Sequence, residues 1–106
     1  MSVTAAKGFT AAGVAAGLKD SGKPDVCLVV NVGPRFDAAG VFTTNRIKAA
    51  PVLWSQQVLA AGELRAVATN SGGANACTGP DGFADTHHTA EHVAGLLGCG
   101  AGEVAV

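Results

Sequence analysis

The sequence predicts an α+β fold, with strands packed against helices in layers. Three observations carry this. Val26 to Val32 is a β-branched run of strand length. Leu64 to Thr69 alternates and runs into a glycine-rich loop. From Asp81, apolar residues recur at helical spacing for about five turns. In chain order, Gly8 to Lys19 could be helix from its alanines. Gly8, Gly13 and Gly17 would each cost a helix interior about 1 kcal/mol, so the segment reads as extended. Ser21 to Asp25 is a turn cluster leading into the buried strand Val26 to Val32. Gly33-Pro34-Arg35 breaks the chain, and Gly40 to Thr44 has strand propensity. Pro51 suits the first position of a helix running to about Ala61, with Gly62 as its stop.

After the Leu64 to Thr69 strand comes a loop from Asn70 to Pro80 and then a helix from near Asp81 to Gly98. Phe83, His87, Ala90, Val93, Ala94 and Leu97 share one face of that helix. Asp81 and Asp85 complement its N-terminal dipole. Gly98 to Gly102 reads as a flexible connection before a strand that begins at Glu103-Val-Ala-Val106. Such a strand needs a partner or a continuation for its ladder groups.

At 106 residues there is room for a single domain with one modest core. That core is thin, since 36 of the residues are alanine or glycine and none is tyrosine. A net charge of −1 and a pI near 6.2 lack the basic footprint of a nucleic-acid binder. A 48% apolar content excludes intrinsic disorder, while no apolar run approaches the roughly 20 residues that span a bilayer. The N-terminal residues lack the basic and apolar regions of a signal peptide, so a soluble, unexported chain is expected. Cys27, Cys77 and Cys99 are odd in number and have no C-x-x-C spacing, which speaks against disulfides and a four-cysteine zinc site and for a reducing cytoplasm.

The most informative stretch is Asn70-Ser71-Gly72-Gly73-Ala74-Asn75-Ala76-Cys77-Thr78-Gly79-Pro80, between a strand and a helix start. Gly72, Gly73 and Gly79 let backbone approach a ligand. Amides at the helix start favour a carboxylate or oxyanion. It matches neither a Walker A loop nor G-x-G-x-x-G. The plainer reading is a tight connection whose Asn and Ser side chains bond local backbone. Cys77 could serve as a nucleophile given a lowered pKa and an activating histidine, although a lone cysteine is more often a small hydrophobe, as Cys27 and Cys99 look to be. Asp85, His88 and His92 share one helix side at a spacing metal sites use, yet a solvated polar face accounts for them better. His87 sits at the edge of the apolar stripe, and Trp54 should anchor the core. Arg46 or Lys48 could hold a substrate carboxylate, against the simpler reading of a solvated loop.

Several segments together resemble the N-terminal part of the arginine-biosynthesis bifunctional acetyltransferase family, glutamate N-acetyltransferase / ornithine acetyltransferase. They are Gly8-Phe9 with residues 11–18, Ala39-Gly-Val-Phe-Thr-Thr-Asn-Arg46, Lys48-Ala-Ala-Pro51, and Asn70-Ser-Gly-Gly-Ala-Asn-Ala-Cys-Thr-Gly79. The last run is very specific, and the resemblance covers essentially the whole chain in order and spacing. It implies a layered αββα arrangement. It also implies acetyl transfer from N2-acetylornithine to glutamate in the cytoplasm, with acetyl-CoA as a second donor in bifunctional members and no bound cofactor. Family members cleave themselves before a threonine. The resulting α and β chains stay together, usually as α2β2, and the freed threonine is the nucleophile with its own amine as base.

The family's Lys-Gly-Pro and Ala-Thr cleavage segment does not occur here. Neither does the Ser/Thr-Thr-Gly oxyanion pair that follows the strand begun at Glu103. No catalytic residue of the family therefore maps onto a position in this chain, and no metal ligand is implied. Residues 1–106 are read as a truncated N-terminal segment of the α chain, inactive alone. Asn70, Ser71, Gly72, Gly73, Asn75, Cys77, Thr78 and Gly79 are expected beside the site. The rival reading is a small cytosolic module that binds an anion in the loop or a metal on the helix histidines.

Overall fold

In the computed structural model, which describes residues 2–106, four strands form one mixed sheet in the order β1-β2-β3-β4. They are β1 (Phe9–Val14), β2 (Val26–Asn31), β3 (Ala66–Asn70) and β4 (Val104–Ala105), with helices α1 (Ala50–Leu59) and α2 (Gly79–Leu97) between them. The α+β expectation is therefore met. β1 and β3 flank β2 in antiparallel fashion, whereas β4 lies parallel to β3 after the crossover through α2.

Register decides which side chains meet the helices. Val30 pairs with Ala66 and Leu28 with Ala68, so these four point to one face. Leu28, Val30 and Ala66 belong to the core with Trp54 and Val58 of α1 and Ala90 and Ala94 of α2. Alanines on α2 and β3 let helix and sheet approach closely, and the bulk is supplied by Trp54. Its ring meets Phe83 edge-on at 6.1 Å and stacks on His87 at 4.8 Å, as the apolar stripe of α2 foretold. Gly98, with φ +72, ends α2 where a stop was expected. α1 ends at Leu59, and the chain reverses at Gly62, whose φ is +74.

Two expectations are corrected. Gly40 to Thr44 is not a strand, and Val41 is 99% exposed. Among the described residues no strand pairs with it, and side chains organise the turn that follows: Thr43 Oγ1 accepts from the Asn45 N–H, and Asn45 Oδ1 from the Ile47 N–H. Gly98 to Gly102 is a defined turn in place of a flexible linker. A 3-10 segment at Ala101–Glu103 is held by the Glu103 carboxylate on the Gly100 N–H at 2.8 Å.

The Ser21 to Asp25 turn contains more than a reversal. Asp25 is only 4% exposed, and its carboxylate accepts from the N–H groups of Ala16 at 2.6 Å, Leu18 at 2.7 Å and Lys19 at 3.0 Å. These donors, Ala16 foremost, hold its pKa below the usual carboxylate value against the opposing effect of burial. A carboxyl depressed on folding stabilises the protein above its unfolded pKa of about 3.9, and the contribution is lost as pH falls through the lower folded value. Asp25→Asn is therefore expected to lower Tm at pH 7. The gap from the native protein should narrow below about pH 4, and a gap constant from pH 7 to 2 would refute this latch.

Candidate functional site

The loop from Asn70 to Pro80 leaves β3 and is tied down at three places. Ser71 N–H donates to the Asp25 carbonyl at 2.8 Å, Asn70 Nδ2 to the Gly73 carbonyl at 3.1 Å, and Ala50 N–H at the start of α1 to the Asn75 carbonyl at 3.2 Å. Gly72 has φ +98. A Cβ there would stand 2.8 Å from Lys19 Cγ and 3.3 Å from the Leu18 carbonyl oxygen, so glycine is required by both conformation and space. The connection latched by Asp25 thus packs directly on the loop.

Asn75 bonds its own chain through both ends of its amide. Its Nδ2 donates to the Gly82 carbonyl at 2.7 Å and to Thr86 Oγ1 at 3.0 Å, while its Oδ1 accepts from Thr78 Oγ1. Thr86, 2% exposed, passes the chain on by donating to the Gly82 carbonyl at 3.2 Å. The network runs from the exposed Thr78 through the half-buried Asn75 to the buried Thr86. Asn75 therefore fastens the loop to the first turns of α2.

The expected site residues divide into two groups. Asn70, Ser71, Gly72, Gly73 and Asn75 border a groove of about 310 Å³ together with Ala49, Pro51 and Val106. This opens into a larger groove of about 690 Å³, walled on the far side by Asp85, His88 and His92 of α2. Those three, expected on a solvated face, thus look across a groove at Asn70 and Gly73. Among the described residues, no group of three or more His, Cys, Asp and Glu side chains is placed to hold a metal. Cys77, Thr78 and Gly79 turn away into a separate groove of about 310 Å³, beside Lys48 and Phe83. The helix N-terminus and the Gly72-Gly73 backbone therefore do not combine into one anion cradle.

Cys77 is exposed with φ +57, and no histidine lines its groove. Cys27 and Cys99 are half-buried; burial, then the Glu103 charge, raise the Cys99 thiol pKa. Arg46 lies away from all of these grooves, whereas Lys48 faces Cys77. Sequence reasoning missed Gly82. Its Cβ, if present, would collide with the Thr78 side chain and stand 2.5 Å from Asn75 Oδ1. The available signal was a glycine in the first helical turns, where alanine would otherwise be favoured.

A mixed sheet whose central strand feeds a glycine-rich loop into a long helix is the architecture of the N-terminal part of an ornithine acetyltransferase. The crystal structure of that enzyme from Mycobacterium tuberculosis, complexed with ornithine, superimposes with TM-score 0.97 at 67% identity, covering 98% of this chain and 56% of that one. The arginine biosynthesis bifunctional protein from Bacillus halodurans gives TM-score 0.94 at 37% identity, over all of this chain and 55% of the other. This chain belongs to the ArgJ family, whose model matches residues 10–106. It is 74% identical to the arginine biosynthesis bifunctional protein ArgJ of Streptomyces coelicolor over all 106 residues, and 71% identical to that of Streptomyces avermitilis. It spans 28% of the length of each of these relatives.

Proposed function

We propose that the complete protein, of which residues 1–106 are the N-terminal segment, transfers the acetyl group of N2-acetylornithine to glutamate in arginine synthesis. The observation that carries this reading is 74% identity over all 106 residues to a protein named for that biosynthesis. The family resemblance supports the rest: a cytoplasmic precursor that cleaves itself, a threonine nucleophile on a β chain, an α2β2 assembly, and acetyl-CoA as a second donor. An acetyl-enzyme intermediate requires ping-pong kinetics. The 106-residue chain carries neither the nucleophile nor the oxyanion donors, each of the latter worth roughly 3–4 kcal/mol, and is expected to be inactive alone.

Within this reading, Asn70 to Gly73 forms a wall of the acetyl-transfer site, and Asn75 to Gly79 secures that wall to α2. The experiment is an assay of the purified complete protein for acetyl transfer from acetylornithine to glutamate. Parallel double-reciprocal lines and a co-purifying chain that begins with threonine are expected, and absence of transfer would sink the reading. Asn70→Ala should lower kcat/KM about tenfold, the worth of one hydrogen bond near 1.4 kcal/mol. Unchanged turnover would remove the loop from the site.

A further inference from the structure

β4 lies parallel to β3, with Val104 opposite Ala66 and Ala105 opposite Val67. The following residue, Val106, is held by a side chain. Ser55 of α1 donates its hydroxyl to the Val106 carbonyl at 2.9 Å and accepts the Val106 N–H at 3.2 Å. Two successive residues of α1 thus hold the strand, since the neighbouring Trp54 donates Nε1–H to the Val104 carbonyl at 2.9 Å. Ser55 is 6% exposed in the middle of α1, where a serine lowers helix propensity and a buried hydroxyl is costly without partners. Its common local option, the carbonyl one turn back, is passed over for a residue 51 positions away. Val106 in turn borders both grooves that meet the Asn70 to Gly73 wall.

We propose that Ser55 is a positioning residue for the acetyl-transfer site. Its hydroxyl bonds both backbone groups of Val106 and holds that residue of the strand opposite the Asn70 to Gly73 wall. The inference rests on the functional reading above, because only that reading makes the grooves at Val106 part of a site.

The test compares Ser55→Thr with Ser55→Val in the complete protein, two side chains of the same shape that differ in the hydroxyl. Val58→Ala, which trims a buried side chain on the same helix, is the control for lost stability. Ser55→Thr should keep kcat within about threefold of the native value. Ser55→Val should lower kcat by about 10- to 100-fold, the range that small misplacement of reacting groups produces, with KM for acetylornithine changed less than about threefold. Val58→Ala should lose comparable thermal stability without the fall in kcat. Amide exchange at Val106 provides a readout independent of turnover, faster in Ser55→Val and native-like in Ser55→Thr. Equal kcat in the two variants, a change confined to KM, equal Val106 exchange, or a Val variant that fails to fold while Thr folds would each overturn the positioning role. A native protein that transfers no acetyl group would instead overturn the functional reading.

Discussion

Trp54→Ala is expected to destabilise the protein by about 3–5 kcal/mol, the usual cost of removing a buried aromatic side chain. Against a total stability of about 5–15 kcal/mol, that is a large fraction of what holds the fold. The size follows from what the indole does here. It is 8% exposed, meets Phe83 and His87 with its ring, and supplies the bulk that the surrounding alanines lack. Ala66, Ala90 and Ala94 in the same core are too short to fill the space left behind. Truncation also orphans the Val104 carbonyl, which now accepts from Nε1. Trp54→Phe separates the two effects, keeping most of the ring and losing the hydrogen bond, with an expected cost of about 1–2 kcal/mol. Urea denaturation of the complete protein followed by circular dichroism measures both. A cost below about 1 kcal/mol for the alanine variant would mean that the core does not depend on this ring.

Periodic and propensity signals were legible wherever neighbours agreed with them. The Val26 to Val32 run became β2, and the face of α2 read from Phe83 to Leu97 is the one packed on Trp54. They misled where a partner was required and absent, as at Gly40 to Thr44, because strand propensity describes a half-buried pleated surface and Val41 meets none. Asn70 to Pro80 was legible as a strand-to-helix connection, but its internal division was invisible. Nothing in the string Asn70 to Gly79 says that Asn75 spends both amide protons on α2, or that Cys77 faces a different groove from Gly73. Asp25 and Ser55 were illegible for the same reason. Each looks like an ordinary turn or helix residue, and each acts through backbone groups that only the tertiary fold brings near, 6 to 9 residues away for Asp25 and 51 for Ser55.

Gly82→Ala turns that argument into a measurement. On helix propensity alone the change should stabilise by about 1 kcal/mol, since glycine is a poor helix residue. The structure predicts the opposite sign. The new methyl group would overlap the Thr78 side chain and press on Asn75 Oδ1, and neither can withdraw freely because Thr78 bonds Asn75 and Asn75 bonds the Gly82 carbonyl and Thr86. Overpacking of this kind costs about 1–3 kcal/mol after relaxation. If the loop is pushed off α2, the Asn70 to Gly73 segment shifts with it, so on the proposed function acetyl transfer by the complete protein should fall along with stability. A second substitution identifies the cause. Thr78→Gly removes the atoms closest to the added methyl, so the Thr78→Gly/Gly82→Ala double variant should be less destabilised than the sum of the two singles by about 0.5–3 kcal/mol. Chemical denaturation of the four proteins gives the coupling directly. A stabilised Gly82→Ala variant, or strict additivity with Thr78→Gly, would show that the loop can move away from α2 at little cost and that its fastening to the helix does not hold the site wall.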